Sequence, residues 1–276
     1  MGISCNDEYN CIYDIIVSAG QSNAEGTGHG PVSEEYRINE DILYLSGEVS
    51  DVMDGDDRII TYPNKTLTID VAKERITEKG ETGDFALSFA EAYVRNNLLV
   101  EGRKILIVRA ALGGTGFQRK QWGEGGPLEE RMHEMIEYAL SLNEKNRVVA
   151  FLWHQGEHDA FEGNHPDNYE KQLTLFLNTV REKYSCKNVP FIAGDFCNEW
   201  KNKNLEQCIP IVDKIRRVFS REKYGFVETS DLLSNNQKTG NGDDIHFCRE
   251  ALHTLGKRYF EEYCNILGIG ESKGKR

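Results

Sequence analysis

Short apolar runs alternate with helical apolar stripes along this chain. Residues 11–19 (CIYDIIVSA), 104–111 (KILIVRAA), 147–153 (RVVAFLW), 189–194 (VPFIAG) and 224–230 (YGFVETS) are near-continuous, rich in β-branched or aromatic residues, and stopped by Gly or polar positions. That pattern predicts strands buried on both faces. Between them, apolar positions recur at helical spacing over 84–99, 127–142, 166–184, 205–223 and 248–267. Asp84 stands where an N-cap belongs, and Pro127 with Glu129 and Glu130 opens the second helix. Pro210 predicts a bend or break near the start of the fourth.

Strand–helix alternation predicts a parallel sheet with helices on both faces. The expected fold is therefore α/β: a three-layer α/β/α, flavodoxin-like domain with a five-stranded parallel sheet. Residues 30–83 break the rhythm with Gly, Asp and short β-like pieces such as DILYL and RIITY. They are read as an insertion beside the sheet, within one domain spanning 1–276. The terminal GIGESKGKR is read as a frayed end.

Composition narrows the function classes. The 276 residues are 39% hydrophobic with twelve Phe and twelve Tyr, enough for a sizeable core. The net charge of -12 comes without a basic stripe, which argues against a nucleic-acid partner. No run approaches transmembrane length and the first residues lack an apolar signal core, so a cytoplasmic chain away from the membrane is expected. Seven cysteines, at 5, 11, 186, 197, 208, 248 and 264, show no C-x-x-C spacing and are read as free thiols. Nothing in the pattern speaks to oligomeric state.

In an open parallel sheet, ligands bind beyond the carboxyl ends of the strands. After the first strand comes GQSNAEG, which places Ser22 in a Gly-rich turn. It is not a G-x-S-x-G elbow, since Ala24 replaces the last Gly, and no Gly-Lys-Ser/Thr follows to make a P-loop. After the second strand, Gly113-Gly114 offer backbone N–H groups to a close ligand. After the third, HQGEH (154–158) matches H-x-x-E-H, a zinc-peptidase pattern. That parse needs one helix carrying His154 and His158 on a shared face, and Gly156 stands between them. Under the alternative parse Gln155 is the working residue, Gly156 lets the chain turn and Glu157 braces the loop. After the fifth strand, Asp243 and His246 stand three apart, where a carboxylate can orient an imidazole. Each signal alone describes an ordinary loop residue. Together they supply nucleophile, base, orienter and oxyanion donors on one rim, the set acyl transfer requires.

GQSN, GGT, WHQGE and a late D-x-x-H, in that order over 20–246, resemble the SGNH (GDSL-type) hydrolases. More narrowly, they resemble the sialate O-acetylesterase-like domain of carbohydrate esterase family 6. The resemblance implies a carbohydrate O-acetylesterase with Ser22 as nucleophile, His246 as base and Asp243, rather than Asp244, as orienter. It implies an oxyanion hole from the Ser22 N–H, the Gly114 N–H (Gly113 as second choice) and the Gln155 amide. No cofactor or metal is implied, and the partner would be an acetylated carbohydrate such as xylan or sialic acid. Ala24 and His158 depart from the usual pattern, in which Met and a small residue stand, and would reshape the pocket. Phe117, Trp122 and Trp200 are candidate sugar-facing aromatics, with loop packing as the alternative. The competing functions are a non-catalytic sugar-binding module of the same fold and a zinc hydrolase using His154 and His158.

Overall fold

The computed structural model describes residues 11–54, 57–62, 66–78 and 80–269. Its strands are β1 (Ile12–Gly20), β2 (Ile42–Gly47), β3 (Ser50–Asp54), β4 (Asp57–Thr61), β5 (Leu67–Val71), β6 (Arg75–Thr77), β7 (Gly80–Thr82), β8 (Arg103–Ala111), β9 (Arg147–His154), β10 (Phe191–Gly194) and β11 (Tyr224–Val227). Its helices are α1 (Ser22–Glu25), α2 (Phe85–Arg95), α3 (Pro127–Ser141), α4 (Glu157–Phe161), α5 (Pro166–Lys183), α6 (Asn198–Lys203), α7 (Leu205–Val218), α8 (Asn235–Thr239) and α9 (Arg249–Leu267).

The five predicted strands lie in one sheet in the order β11-β10-β9-β1-β8, all parallel. The sheet nevertheless has seven strands, not five. The two additions come from the stretch read as lying beside it: β2 pairs parallel with β8, and β5 closes that edge antiparallel to β2. The reason is burial. Ile42, Leu43, Tyr44 and Leu45 are consecutive and apolar, so β2 needs cover on both faces and takes an interior position. Edge strand β5 has only Ile69 buried and exposes Thr68 and Asp70 on either side of it, the alternation of a half-buried strand.

The period of two in β1 builds the layers. Tyr13, Ile15, Val17 and Ala19 enter one core with residues of α3, α5 and α7, while Ile16 enters the other with residues of α2 and α9. Buried Asp14 is satisfied by Arg103 at 2.8 Å, Arg147 at 2.7 Å and the Tyr93 hydroxyl at 3.2 Å. Asp84 caps α2 as expected, accepting from the N–H groups of Ala86 and Leu87. Pro210 does not break its helix, because α7 runs through it. The hydrogen bond it forgoes falls on the carbonyl of exposed Glu206, which water can satisfy.

Among the described residues, no helix is long and apolar enough to cross a membrane. The six described cysteines are free and five of them are buried. Cys5 and most of the tail lie outside the described residues.

Candidate active site

Chain order reverses direction at β1: β8 and β2 extend the sheet on one side, β9 to β11 on the other. Ligands in such sheets bind in the crevice beyond the strand ends at this reversal. Register brings the ends level, with Gly20 opposite Ala111 on one side and His154 on the other. Gly20 has φ 138°, and a Cβ there would meet the His154 carbonyl oxygen at 2.1 Å. Only glycine lets β1 and β9 stay paired to this point. The chain then turns into the single-turn α1, with nearly buried Ser22 at its first position. There the Ser22 N–H makes no hydrogen bond among the described residues.

His246 and Asp243 come from the loop between α8 and α9. The imidazole Nδ1 lies 2.8 and 2.9 Å from the two Asp243 oxygens. A carboxylate accepts, so Nδ1 carries the proton and Nε2 is the free, basic nitrogen. Asn235 donates to Asp243 Oδ2 at 2.9 Å, and its backbone N–H donates to the His246 carbonyl at 2.8 Å. Burial raises the Asp243 carboxyl, but the hydrogen bonds from His246 and Asn235 outweigh it and hold it below the usual carboxylate range.

The loop is held against α1 by Asn23, the residue after Ser22. Its Nδ2 donates to the Ile245 carbonyl at 3.3 Å, and its Oδ1 accepts from the Phe247 N–H at 3.1 Å. The two residues flanking His246 are thus tied to the neighbour of Ser22. Ser22 Oγ and His246 Nε2 make no direct hydrogen bond among the described residues. Asn23 is itself held by Glu157, whose Oε1 accepts from Nδ2 at 2.9 Å. Glu157 is fully buried and lies 3.5 Å from His154 Nε2.

Gly156, at φ 141°, separates strand end His154 from helical His158, so the two histidines do not share a helical face. His154 Nδ1 faces the Tyr259 hydroxyl at 3.2 Å inside the core. His158 instead faces a cavity, and burial pushes its pKa below the usual histidine value. Among the described residues, the carboxylates close enough together to hold a metal are Glu35, Glu74 and Glu81, in and around the insertion. The Arg249 guanidinium bonds all three, at 2.5 to 2.8 Å.

The glycine pair is not symmetric. The Gly113 N–H donates to Glu25 Oε2 at 2.9 Å, whereas the Gly114 N–H makes no hydrogen bond among the described residues. Gly113 abuts the serine, since a Cβ built on it would lie 3.4 Å from Ser22 Cβ. Gln155 is buried with its amide engaged: Nε2 faces Asp159 Oδ2 at 2.6 Å, the Thr115 carbonyl at 3.1 Å and Gln21 Oε1 at 3.4 Å. Beside Gly114 opens a cavity of about 250 Å³ lined by Met53, Arg58, Arg119, Gln121, His158 and Glu162. Larger cavities lie elsewhere: one of about 410 Å³ between α2 and α9, and one of about 560 Å³ beside α5 whose wall includes Phe117 and Trp122 but none of Ser22, Gly113, Gly114, Gln155, Asp243 and His246.

Phe117, Trp122 and Trp200 are buried by packing, and Phe117 and Trp122 also border the cavity beside α5. Phe117 and Trp122 pack on Trp153, and Trp200 packs on Phe196. Sequence reasoning passed over Asn23, Glu25, Arg58 and Asp159. Asn23 and Glu25 adjoin Ser22, and Asp159 lies four residues from Gln155, so proximity to the motifs was the available signal. Arg58 lies in the insertion and offered none.

Comparisons with known proteins bear on the family and the fold. The family model described as carbohydrate esterase, sialic acid-specific acetylesterase matches residues 12–265. No curated protein matches the chain. Among solved structures, the chain is similar to NanS, at 18% identity and TM-score 0.70, covering 93% of this chain and 98% of that one. It is similar to a protein from Arabidopsis thaliana, at 21% identity and TM-score 0.65, covering 91% and 98%. It also resembles a carbohydrate acetylesterase from Xanthomonas citri, at 17% identity and TM-score 0.62, covering 92% of this chain but 56% of that one. At these identities the likenesses show a shared fold.

Proposed function

The chain belongs to the sialic acid-specific acetylesterase family of carbohydrate esterases, and we propose that it removes O-acetyl groups from sugars through an acyl-enzyme on Ser22. The observation that carries this reading is the His246 imidazole, bonded through Nδ1 to both Asp243 oxygens and tied through its neighbours to Asn23 beside Ser22. His246 Nε2 takes the Ser22 Oγ proton as Oγ attacks the acetyl carbonyl. The negative oxygen is received by the Ser22 and Gly114 N–H groups, both otherwise uncommitted. Gln155 is the third donor. The 3.4 Å contact to Gln21 is its weakest, and an oxyanion displaces it more readily than the Asp159 contact. His246 returns the proton to the sugar oxygen, and a water activated the same way releases acetate. The sugar occupies the cavity beside Gly114, where His158, kept neutral by burial, sits with Arg58 and Arg119.

General-base assistance contributes roughly 10²–10⁴ in rate, and each oxyanion donor about 10²–10³. The test is acetate release from a panel of acetylated sugars by the wild type and by Ser22→Ala. The wild type is expected to release acetate, and Ser22→Ala to fall to background with an unchanged circular dichroism spectrum. Full turnover by Ser22→Ala overturns the serine mechanism. Sugar binding without acetate release marks a non-catalytic module, and EDTA loss restored by zinc marks a zinc hydrolase.

A further inference from the structure

We propose that Arg58 is a positioning residue that sets the orientation of the Gly113–Gly114 peptide from the insertion. The inference rests on the reading that the Gly114 N–H receives the oxyanion. Arg58 lies on β4, in the β3–β4 hairpin, which among the described residues forms a two-stranded sheet of its own, apart from the seven-stranded one. Asp51 across the hairpin holds its guanidinium at two points, Nε to Oδ1 at 2.8 Å and Nη2 to Oδ2 at 2.6 Å. The remaining edge of the fork reaches the glycine pair. Nη2 donates to the Gly113 carbonyl at 2.8 Å, and Nη1 donates to the Gly114 carbonyl.

Peptide geometry makes that grip consequential. In a trans peptide the carbonyl of one residue and the N–H of the next point opposite ways, and no described peptide bond is cis. Turning the Gly113 carbonyl toward Arg58 therefore turns the Gly114 N–H away from it. On the other flank, Glu25 Oε2 accepts the Gly113 N–H at 2.9 Å, while Glu25 Oε1 is held by Arg75 at 3.0 Å. Glu25 ends the turn that begins at Ser22. The two peptide groups beside the nucleophile are thus fixed from both sides by side chains bonded to the backbone, and p-nitrophenyl acetate carries no sugar to fill the cavity that Arg58 also lines. Two adjacent glycines are the costliest residues to order and have no side chains to order themselves. An oxyanion donor accelerates the reaction only when it is already oriented. Releasing the clamp therefore costs rate in the transition state more than it costs ground-state binding.

The test measures p-nitrophenyl acetate hydrolysis by the full chain carrying Arg58→Ala, Arg58→Lys or, as control, Ser22→Ala. Arg58→Ala is expected to lower kcat about 10- to 100-fold, less than loss of a whole donor. Its KM stays within about twofold, the signature of an interaction needed only in the transition state. Arg58→Lys fails to restore kcat, because an ammonium cannot fork to both carbonyls while paired with Asp51. It also decides the matter if alanine unfolds the hairpin. Guanidinium ion at a non-denaturing concentration restores part of the Arg58→Ala rate and none of the Ser22→Ala rate. A raised KM with unchanged kcat would make Arg58 a substrate contact and overturn the proposal, as would wild-type kinetics in both Arg58 variants. Either result alongside an inactive Ser22→Ala leaves the serine mechanism standing. An active Ser22→Ala overturns that mechanism instead.

Discussion

Asn23 connects three stretches of chain that are far apart in sequence. Its side chain reaches Glu157 across 134 residues and the Phe247 N–H across 224. Both amide hydrogens and the oxygen are used, so alanine there leaves three polar partners short of a bond in a buried site. A buried group left unpaired costs about 1–3 kcal/mol. For a protein of this size each kcal/mol lowers Tm by about 2–4 °C. Asn23→Ala should therefore melt several degrees earlier, and its folded form should lose at least about tenfold in kcat because His246 is no longer held. A lower melting point with wild-type kcat would reduce Asn23 to a packing residue. The legibility of individual residues follows the same division. The three-residue spacing of Asp243 and His246 predicted a carboxylate–imidazole bond, and both residues supply it locally. The partners of Asn23 and Arg58 are brought by the fold, and no local pattern names them. Gln155 carries both lessons: its place on the rim follows from the strand before it, but its engagement with Asp159 does not.

Helices of ten or more residues were readable because their periodicity needs length. The five long helices lie within a few residues of the predicted ranges, and the Asp84 cap of α2 accepts the expected N–H groups. The short turns α1, α4, α6 and α8 have too few residues to show a period. The DILYL piece was visibly β-like, yet its neighbour could not be read. An apolar run records that it is buried, not against which strand, and β2 finds β8 some sixty residues on. That choice matters to function. It carries the insertion up to the sheet, and the β3–β4 hairpin with Arg58 then meets the glycine turn that follows β8.

The reversal of chain order at β1 places Ser22, the glycine pair and Gln155 at the ends of three adjacent strands, β1, β8 and β9. The stability of the whole then depends on the buried carboxylate under that rim. Burial raises the Glu157 carboxyl, but its contact with His154 and the hydrogen bond from Asn23 outweigh this and hold it below its usual value. A carboxyl depressed in the folded state stabilises the fold above its unfolded pKa, about 4.3, and that contribution is lost as pH falls through the lower folded value. Asp243 acts in the same direction. Urea midpoints should therefore fall below about pH 4, and Glu157→Gln should flatten that fall; an unchanged slope would show that Glu157 is not responsible. The central claim is that Ser22 is the nucleophile on this rim. It is tested most directly by treating the enzyme with a fluorophosphonate ester and locating the adduct by peptide mass spectrometry. A single phosphonyl group on Ser22, with acetate release lost in proportion to labelling, is the predicted result. Labelling at another residue, or full labelling of Ser22 with activity retained, would contradict it.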